Sequence, residues 1–130
     1  MVGIVIVSHS VKVAEGIREM ALQMAKPGQK VVTAGGAIDN SIGTDAVKIY
    51  EAIMAADDGD GVLIMVDLGS AIMSAETALE MLDESVRKNV MLADAPVLEG
   101  TISAVVQASL GVSLPEVLAT AEAARELRKK

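Results

Sequence analysis

The chain holds a single histidine, His9, and it follows directly on an apolar β-branched run, Ile4-Val5-Ile6-Val7, in the segment Ser8-His9-Ser10. A second apolar run, Val62-Leu63-Ile64-Met65-Val66, stops in the same way at Asp67 and leads into Leu68-Gly69-Ser70-Ala71. Short runs of this kind read as strands buried on both faces of a parallel sheet. If these two strands are neighbours, their C-terminal ends share one edge of the sheet, where open α/β proteins bind ligands and do chemistry. His9 and Asp67 then lie side by side. A carboxylate that accepts one imidazole N–H fixes the tautomer and leaves the other nitrogen with its lone pair outward, which makes a nucleophilic histidine. Gly69-Ser70-Ala71 and Gly43-Thr44 fall where two helices are expected to begin, with small side chains and backbone N–H groups suited to an anion. A tetrahedral, doubly charged group on the imidazole would meet those donors. The residues therefore predict phosphoryl transfer through a transient phosphohistidine on His9. Asp67 would orient the ring, and Gly69, Ser70, Ala71, Gly43 and Thr44 would bind the phosphoryl group.

Each feature also has an ordinary structural role. A histidine at a strand end can be a surface or capping residue, an aspartate there can cap a helix, and Gly35-Gly36 can be a plain turn. Other chemistries fit less well. No Gly-Lys-Ser/Thr follows a strand, no complete dinucleotide fingerprint appears, and the Gly-x-Ser-x-Gly elbow of hydrolases is missing. With one histidine and no cysteine, no metal site is expected.

The elements needed to position these residues alternate along the chain. A helix is expected from Val11 to Met24, with Val13, Ile17, Met20 and Met24 at helical spacing, ended by Pro27-Gly28. A strand follows at Lys30–Ala34, then a polar loop from Gly35-Gly36 through Ile42-Gly43-Thr44. The next helix runs from Asp45 to Ala56, with Val47, Tyr50 and Met54 along one stripe and Ile49 and Ile53 beside it. After the strand Val62–Val66 comes a helix carrying Ile72, Ala75, Leu79 and Leu82, then a strand at Val90–Leu92. A further helix passes through Ile102, Val105, Val106 and Ser109. A capping-box spacing at Ser113 and Glu116 starts a last helix that is expected to continue into the basic tail. This order predicts one α/β domain over residues 1–130. Its open, mainly parallel sheet has four strands in the order 2-1-3-4, helices on both faces and an extra C-terminal helix.

Composition limits the function further. The 130 residues are 52% hydrophobic yet hold one tyrosine and no other aromatic, so the core is built of aliphatics, alanine and eight methionines. Stacking platforms for single-stranded nucleic acid are lacking. A net charge of −7 disfavours binding to a phosphate backbone. The cationic cluster Arg125, Arg128, Lys129 and Lys130 reads as a complement to a helix C-terminus. Without cysteine, disulfides and thiol chemistry are excluded. Neither a signal peptide nor a membrane span is apparent, so a soluble cytoplasmic protein is expected.

Three segments together carry a resemblance: Gly3 to Ser10, Gly35-Gly36 through Ile42-Gly43-Thr44, and Val66-Asp67-Leu68-Gly69-Ser70-Ala71 with Met73-Ser74-Ala75-Glu76. They resemble the mannose-type enzyme IIA superfamily, and within it the phosphotransferase subunits of phosphoenolpyruvate-dependent dihydroxyacetone kinases. The resemblance implies that His9 accepts a phosphoryl group on Nε2 from phospho-HPr, with Asp67 bonded to Nδ1. It implies transfer to ADP on the nucleotide-binding subunit of the kinase, so that the nucleotide and its metal ions belong to that partner and this chain needs no cofactor. A homodimer is usual in the superfamily, and neither a nucleic acid nor a membrane partner is implied. Sugar-transporting relatives usually carry Gly-Gly-Ser/Thr-Pro near the aspartate, whereas Gly69-Ser70-Ala71 stands here, which favours the kinase subunit. The chain stops at Lys130 without the HPr-like and enzyme I-like domains of some kinase subunits, so phosphate is expected from a separate HPr. The alternatives are a sugar-transporter IIA domain and a non-catalytic regulatory or scaffold domain.

Overall fold

The computed structural model describes residues 1–130. Four strands, β1 (Gly3–Ser8), β2 (Val31–Gly35), β3 (Val62–Val66) and β4 (Val90–Leu92), form one sheet in the order β2-β1-β3-β4, with every pairing parallel. They alternate with helices α1 (Val11–Leu22), α2 (Ala46–Ala56), α3 (Gly69–Glu80), α4 (Glu84–Arg87), α5 (Val97–Ala108) and α6 (Leu114–Ala123). Fold class and strand order are those expected from the sequence. The single turn α4 was not anticipated, because its four residues, Glu84 to Arg87, are too few and too polar to show a periodicity. No helix is long and apolar enough to cross a membrane.

The two central strands, β1 and β3, are buried at every residue. Alternation along them builds two cores. Ile4, Ile6, Leu63 and Met65 face α1, α5 and α6, whereas Val5, Val7, Ile64 and Val66 face α2 and α3. The helices meet this sheet largely through alanine. α1 buries Ala14, Ile17 and Ala21, α3 buries Ala71, Ala75 and Ala78, and α2 adds Ala52 and Ala56 to Ile49 and Ile53. The larger residues expected on the core stripes, Val13, Met20, Val47, Met54 and Ile72, are exposed instead. β-Branched side chains already fill the layer next to the sheet, so a methyl group fits between helix and strand where a methionine would overpack.

Two features of the last helix differ from expectation. Ser113 stands at its start, but its hydroxyl donates to the Glu116 carboxylate at 3.1 Å, and no side-chain bond caps the backbone. The basic tail is not a continuation of the helix. A 3-10 turn covers Ala124–Glu126, after which Lys129 pairs with Glu99 at 3.3 Å, while Arg125 lies 3.4 Å from the Asp94 carboxylate. At the opposite edge of the sheet, Arg18 Nε donates to the Val31 carbonyl at 2.6 Å and Lys48 Nζ to the Gly35 carbonyl at 3.1 Å. Cationic side chains thus cover the open side of β2, which discourages pairing with another strand.

Thr101 on α5 is fully buried and its hydroxyl has no hydrogen-bond partner. An unpaired buried hydroxyl costs about 1–3 kcal/mol. Thr101→Val, which keeps the shape and removes the hydroxyl, is therefore expected to stabilise the protein by about 1 kcal/mol in urea unfolding. A loss of stability would show that the hydroxyl is bonded in solution.

Candidate active site

Sheet register assembles the site. Val7 of β1 pairs with Val66 of β3, and Ser8 with Gly35 of β2, while the Asp67 N–H donates to the Val7 carbonyl at 3.2 Å. Three strand ends therefore meet on one edge, with Ser8 and His9 between Asp67 and Gly35. The chain then turns into α1, whose N-cap Ser10 accepts from the Val13 N–H at 3.3 Å. This tight exit requires glycine at the neighbouring strand end. A Cβ on Gly35 would lie 2.8 Å from the Val11 Cα. Gly36 then adopts φ +78°, a left-handed conformation that leads the chain away into the next loop.

Asp67 is the centre of the hydrogen bonding. Its Oδ1 accepts from His9 Nδ1 at 2.9 Å and from the Leu68 N–H at 2.8 Å. Its Oδ2 accepts from the Ser8 hydroxyl at 2.9 Å and from the His9 N–H at 3.0 Å. The Ser8 hydroxyl in turn accepts from the Ser10 N–H at 3.1 Å. Burial pushes the Asp67 carboxyl up, but the bonds from His9, Ser8 and Leu68 more than offset this and hold it below the ordinary 3.8. An ionised carboxylate has no proton to give, so Nδ1 carries the ring proton and Nε2 the lone pair. The Ser70 hydroxyl lies 2.7 Å from Nε2, and it is the donor to Nε2 of a neutral ring. With side chains 20% and 16% exposed, His9 and Asp67 sit at the lip of the edge.

Of the other residues singled out by the sequence, Gly69 and Ser70 open α3 beside the imidazole. Leu68 occupies the N-cap and offers no side-chain bond. The neighbouring helices α1 and α2 are capped by Ser10 and Asp45, so of the helices that start beside β1, β2 and β3 only α3 lacks a side-chain cap. Ala71 is buried and its N–H turns back to the Leu68 carbonyl at 3.0 Å. Gly43 and Thr44 already have partners within the protein. The Gly43 N–H donates to the His9 carbonyl at 2.9 Å, and the Thr44 hydroxyl lies 2.6 Å from that of Ser74. Sequence reasoning gave no role to Ser8 or Ser74. Ser8 was accessible from register, since it faces Asp67 one rung beyond Val7 and Val66. Ser74 was accessible from its position one helical turn after Ser70.

The fold and the site together define a class: an open parallel α/β domain with one carboxylate-oriented histidine at the carboxyl edge of its sheet. The chain belongs to the EIIA-man family, whose model, PTS system fructose IIA component, matches residues 3–118. The phosphoryl donor subunit DhaM of the PEP-dependent dihydroxyacetone kinase of Escherichia coli (strain K12) is 46% identical over 133 residues and covers 100% of this chain, which spans only 28% of that protein. The corresponding subunit of PEP-dependent dihydroxyacetone kinase 2 of Listeria innocua is 39% identical, over 91% of this chain and 94% of that protein. The crystal structure of the unknown function protein EF1359 is similar with a TM-score of 0.84 at 39% identity, over 93% of this chain and 92% of that one.

Because the folded-state value of Asp67 is depressed, its contribution to stability is complete above 3.8 and is lost as pH falls through the lower folded-state value. The carboxyl-carbon NMR shift of Asp67 is expected to titrate below 3.8. In Ser8→Ala the midpoint should move upward, and identical midpoints would remove the Ser8 bond from this account.

Proposed function

We propose that the chain is a phosphocarrier of a phosphoenolpyruvate-dependent dihydroxyacetone kinase. The observation that carries this reading is the Asp67–His9–Ser70 line, in which Nδ1–H is held by an ionised carboxylate and Nε2 faces the open first turn of α3. The lone pair of Nε2 attacks the phosphorus of phospho-HPr, and the donor atom leaves with the electrons of the broken bond. Positive charge that develops on the imidazole is balanced by Asp67. The phosphoryl oxygens meet the Ser70 hydroxyl and the first-turn amides of α3, where the helix dipole favours an anion. In the second half of the cycle, an oxygen of ADP held by the nucleotide-binding subunit attacks the same phosphorus. His9 is then free again as a neutral ring. The nucleotide and its metal ions belong to that partner in this reading, which also implies a cytoplasmic protein and, from the superfamily, a homodimer.

Support for a protein rather than a small-molecule partner comes from the rim. Ile38, Ile42, Leu68 and Met73, which are 80%, 77%, 61% and 73% exposed, are carried by the two segments that border His9. Large aliphatic side chains held in water at a reactive edge suit burial against another protein surface. The names of the DhaM relatives, phosphoryl donor subunits, agree with this reading. The family model's description as a fructose IIA component favours a second reading, a sugar-transporter IIA domain that hands its phosphate to another transporter component.

Incubation with phosphoenolpyruvate, enzyme I and HPr should add one acid-labile, base-stable phosphoryl group, mapped to His9 by mass spectrometry. His9→Ala should carry none. Asp67→Asn should remain folded and be phosphorylated roughly a hundredfold more slowly or worse, because the amide no longer enforces the tautomer. No phosphate on the wild type in the presence of phosphorylated HPr would sink the reading, and acceptor subunits offered in parallel separate kinase from transporter. Ile42→Asp should raise the half-saturating concentration of HPr roughly tenfold with little change in the maximal rate. An unchanged value would take Ile42 out of the docking rim.

A further inference from the structure

Ser70 and Ser74 stand one turn apart on the same face of α3. Ser70 reaches the imidazole, with its hydroxyl 2.7 Å from Nε2. Ser74 reaches the Thr44 hydroxyl at 2.6 Å. Thr44 directly follows Gly43, whose N–H donates to the His9 carbonyl at 2.9 Å. These contacts close a circuit that leaves His9 through its ring and returns to it through its backbone. We propose that Thr44 and Ser74 form a latch that positions the His9 imidazole against the first turn of α3 for phosphoryl transfer. The proposal rests on the phosphocarrier reading.

The other hydrogen bonds of this loop do not do the same work. Ala37 and Ser41 bond to each other, Asp39 accepts from Ser41, and Lys48 of α2 holds the Asn40 side chain. They shape the loop and tie it to α2. The Thr44–Ser74 pair is the hydrogen bond that joins it to α3, the helix that carries Ser70 and the open amides. Without it, the loop that holds the His9 carbonyl and the helix that meets Nε2 are joined only through the packing of α2 on α3, which fixes their relative position less closely than a directional hydrogen bond. Displacement of a nucleophile by a fraction of an ångström is enough to slow a transfer that depends on in-line geometry. Thr44 and Ser74 are positioning residues, since neither touches the reacting atoms. This differs from the sequence expectation that Thr44 binds the phosphoryl group itself, and the two roles make different predictions.

The test uses Ser74→Ala, Thr44→Val, the double variant, and the hydroxyl-keeping Ser74→Thr and Thr44→Ser. Single-turnover phosphorylation by phospho-HPr should slow about tenfold in Ser74→Ala and in Thr44→Val, with half-saturating HPr within about twofold of wild type. The double variant should be no slower than either single one, because both remove the same contact. Ser74→Thr or Thr44→Ser should recover most of the rate. The imidazole nitrogen NMR spectrum of the unphosphorylated protein supplies a readout independent of any donor. Ser74→Ala and Thr44→Val should shift the Nε2 resonance alike. A Ser74→Ala variant with wild-type rate and resonance overturns the latch. So does a Thr44→Val variant far slower than Ser74→Ala with additive effects in the double, which assigns Thr44 to the phosphoryl group. Failure of the wild type to accept phosphate defeats the carrier reading instead, and the nitrogen spectra then decide whether the latch holds the ring.

Discussion

The Asp67 carboxylate does two jobs with one set of bonds, and the rest of the site depends on it. Its two oxygens accept from two backbone N–H groups, one hydroxyl and one ring nitrogen. The His9 and Leu68 amides are where the chain leaves β1 and β3, so the carboxylate joins the ends of the two central strands and sets the point from which α3 departs. The same four donors keep it ionised against the cost of partial burial. Ionisation in turn decides which ring nitrogen holds the proton. Structure and tautomer therefore follow from one charge, and loss of that charge would leave several donors at the strand ends without partners.

Alanine explains why the helices are close enough for this to work. Ala71, Ala75 and Ala78 let α3 lie against the valines and isoleucines of the sheet, and Ala14 and Ala21 do the same for α1 on the other face. Close approach brings the first turn of α3 level with the strand ends, where Ser70 reaches Nε2 in a single hydrogen bond. The consequence is an unusual division of apolar residues. Small ones make the core contacts of the helices, and several long ones, Met20, Met54, Met73 and Ile42 among them, remain in water.

That division also marks where sequence reasoning stopped. The strand runs, the strand order and the pairing of His9 with Asp67 were legible, because in a parallel sheet the ends of apolar runs identify one edge. Helix orientation was less so. In α1, Val13 and Met20 satisfy the same periodicity as Ala14 and Ala21, and a hydropathy pattern favours the larger pair although the packed sheet accepts only the smaller. The capping box at Ser113 failed for a related reason, since spacing allows the serine to bond the glutamate side chain instead of the backbone. Thr44 and Ser74 are thirty residues apart. Their contact became visible only with the packing of α2 beside α3 and the hold of Gly43 on the His9 carbonyl.

A phosphocarrier has to release what it accepts, and the chemistry around Nε2 fits that demand. The group that meets it is the Ser70 hydroxyl, carried by the first turn of α3, whose backbone amides are neutral donors with no side-chain cap. Neutral donors stabilise phosphoryl oxygens less than a guanidinium does, because charge-assisted hydrogen bonds are roughly twice as strong as neutral ones. A deep well for the phosphorylated state would favour acceptance and penalise release, whereas a shallow one keeps both directions open. The rate must then come from geometry rather than from tight binding of the group. In that reading the rigidity of the site is its catalytic resource: Asp67 fixes the ring at Nδ1, Gly43 fixes the main chain of His9, and α3 brings its donors to a distance that the sheet register and the alanine contacts have already set.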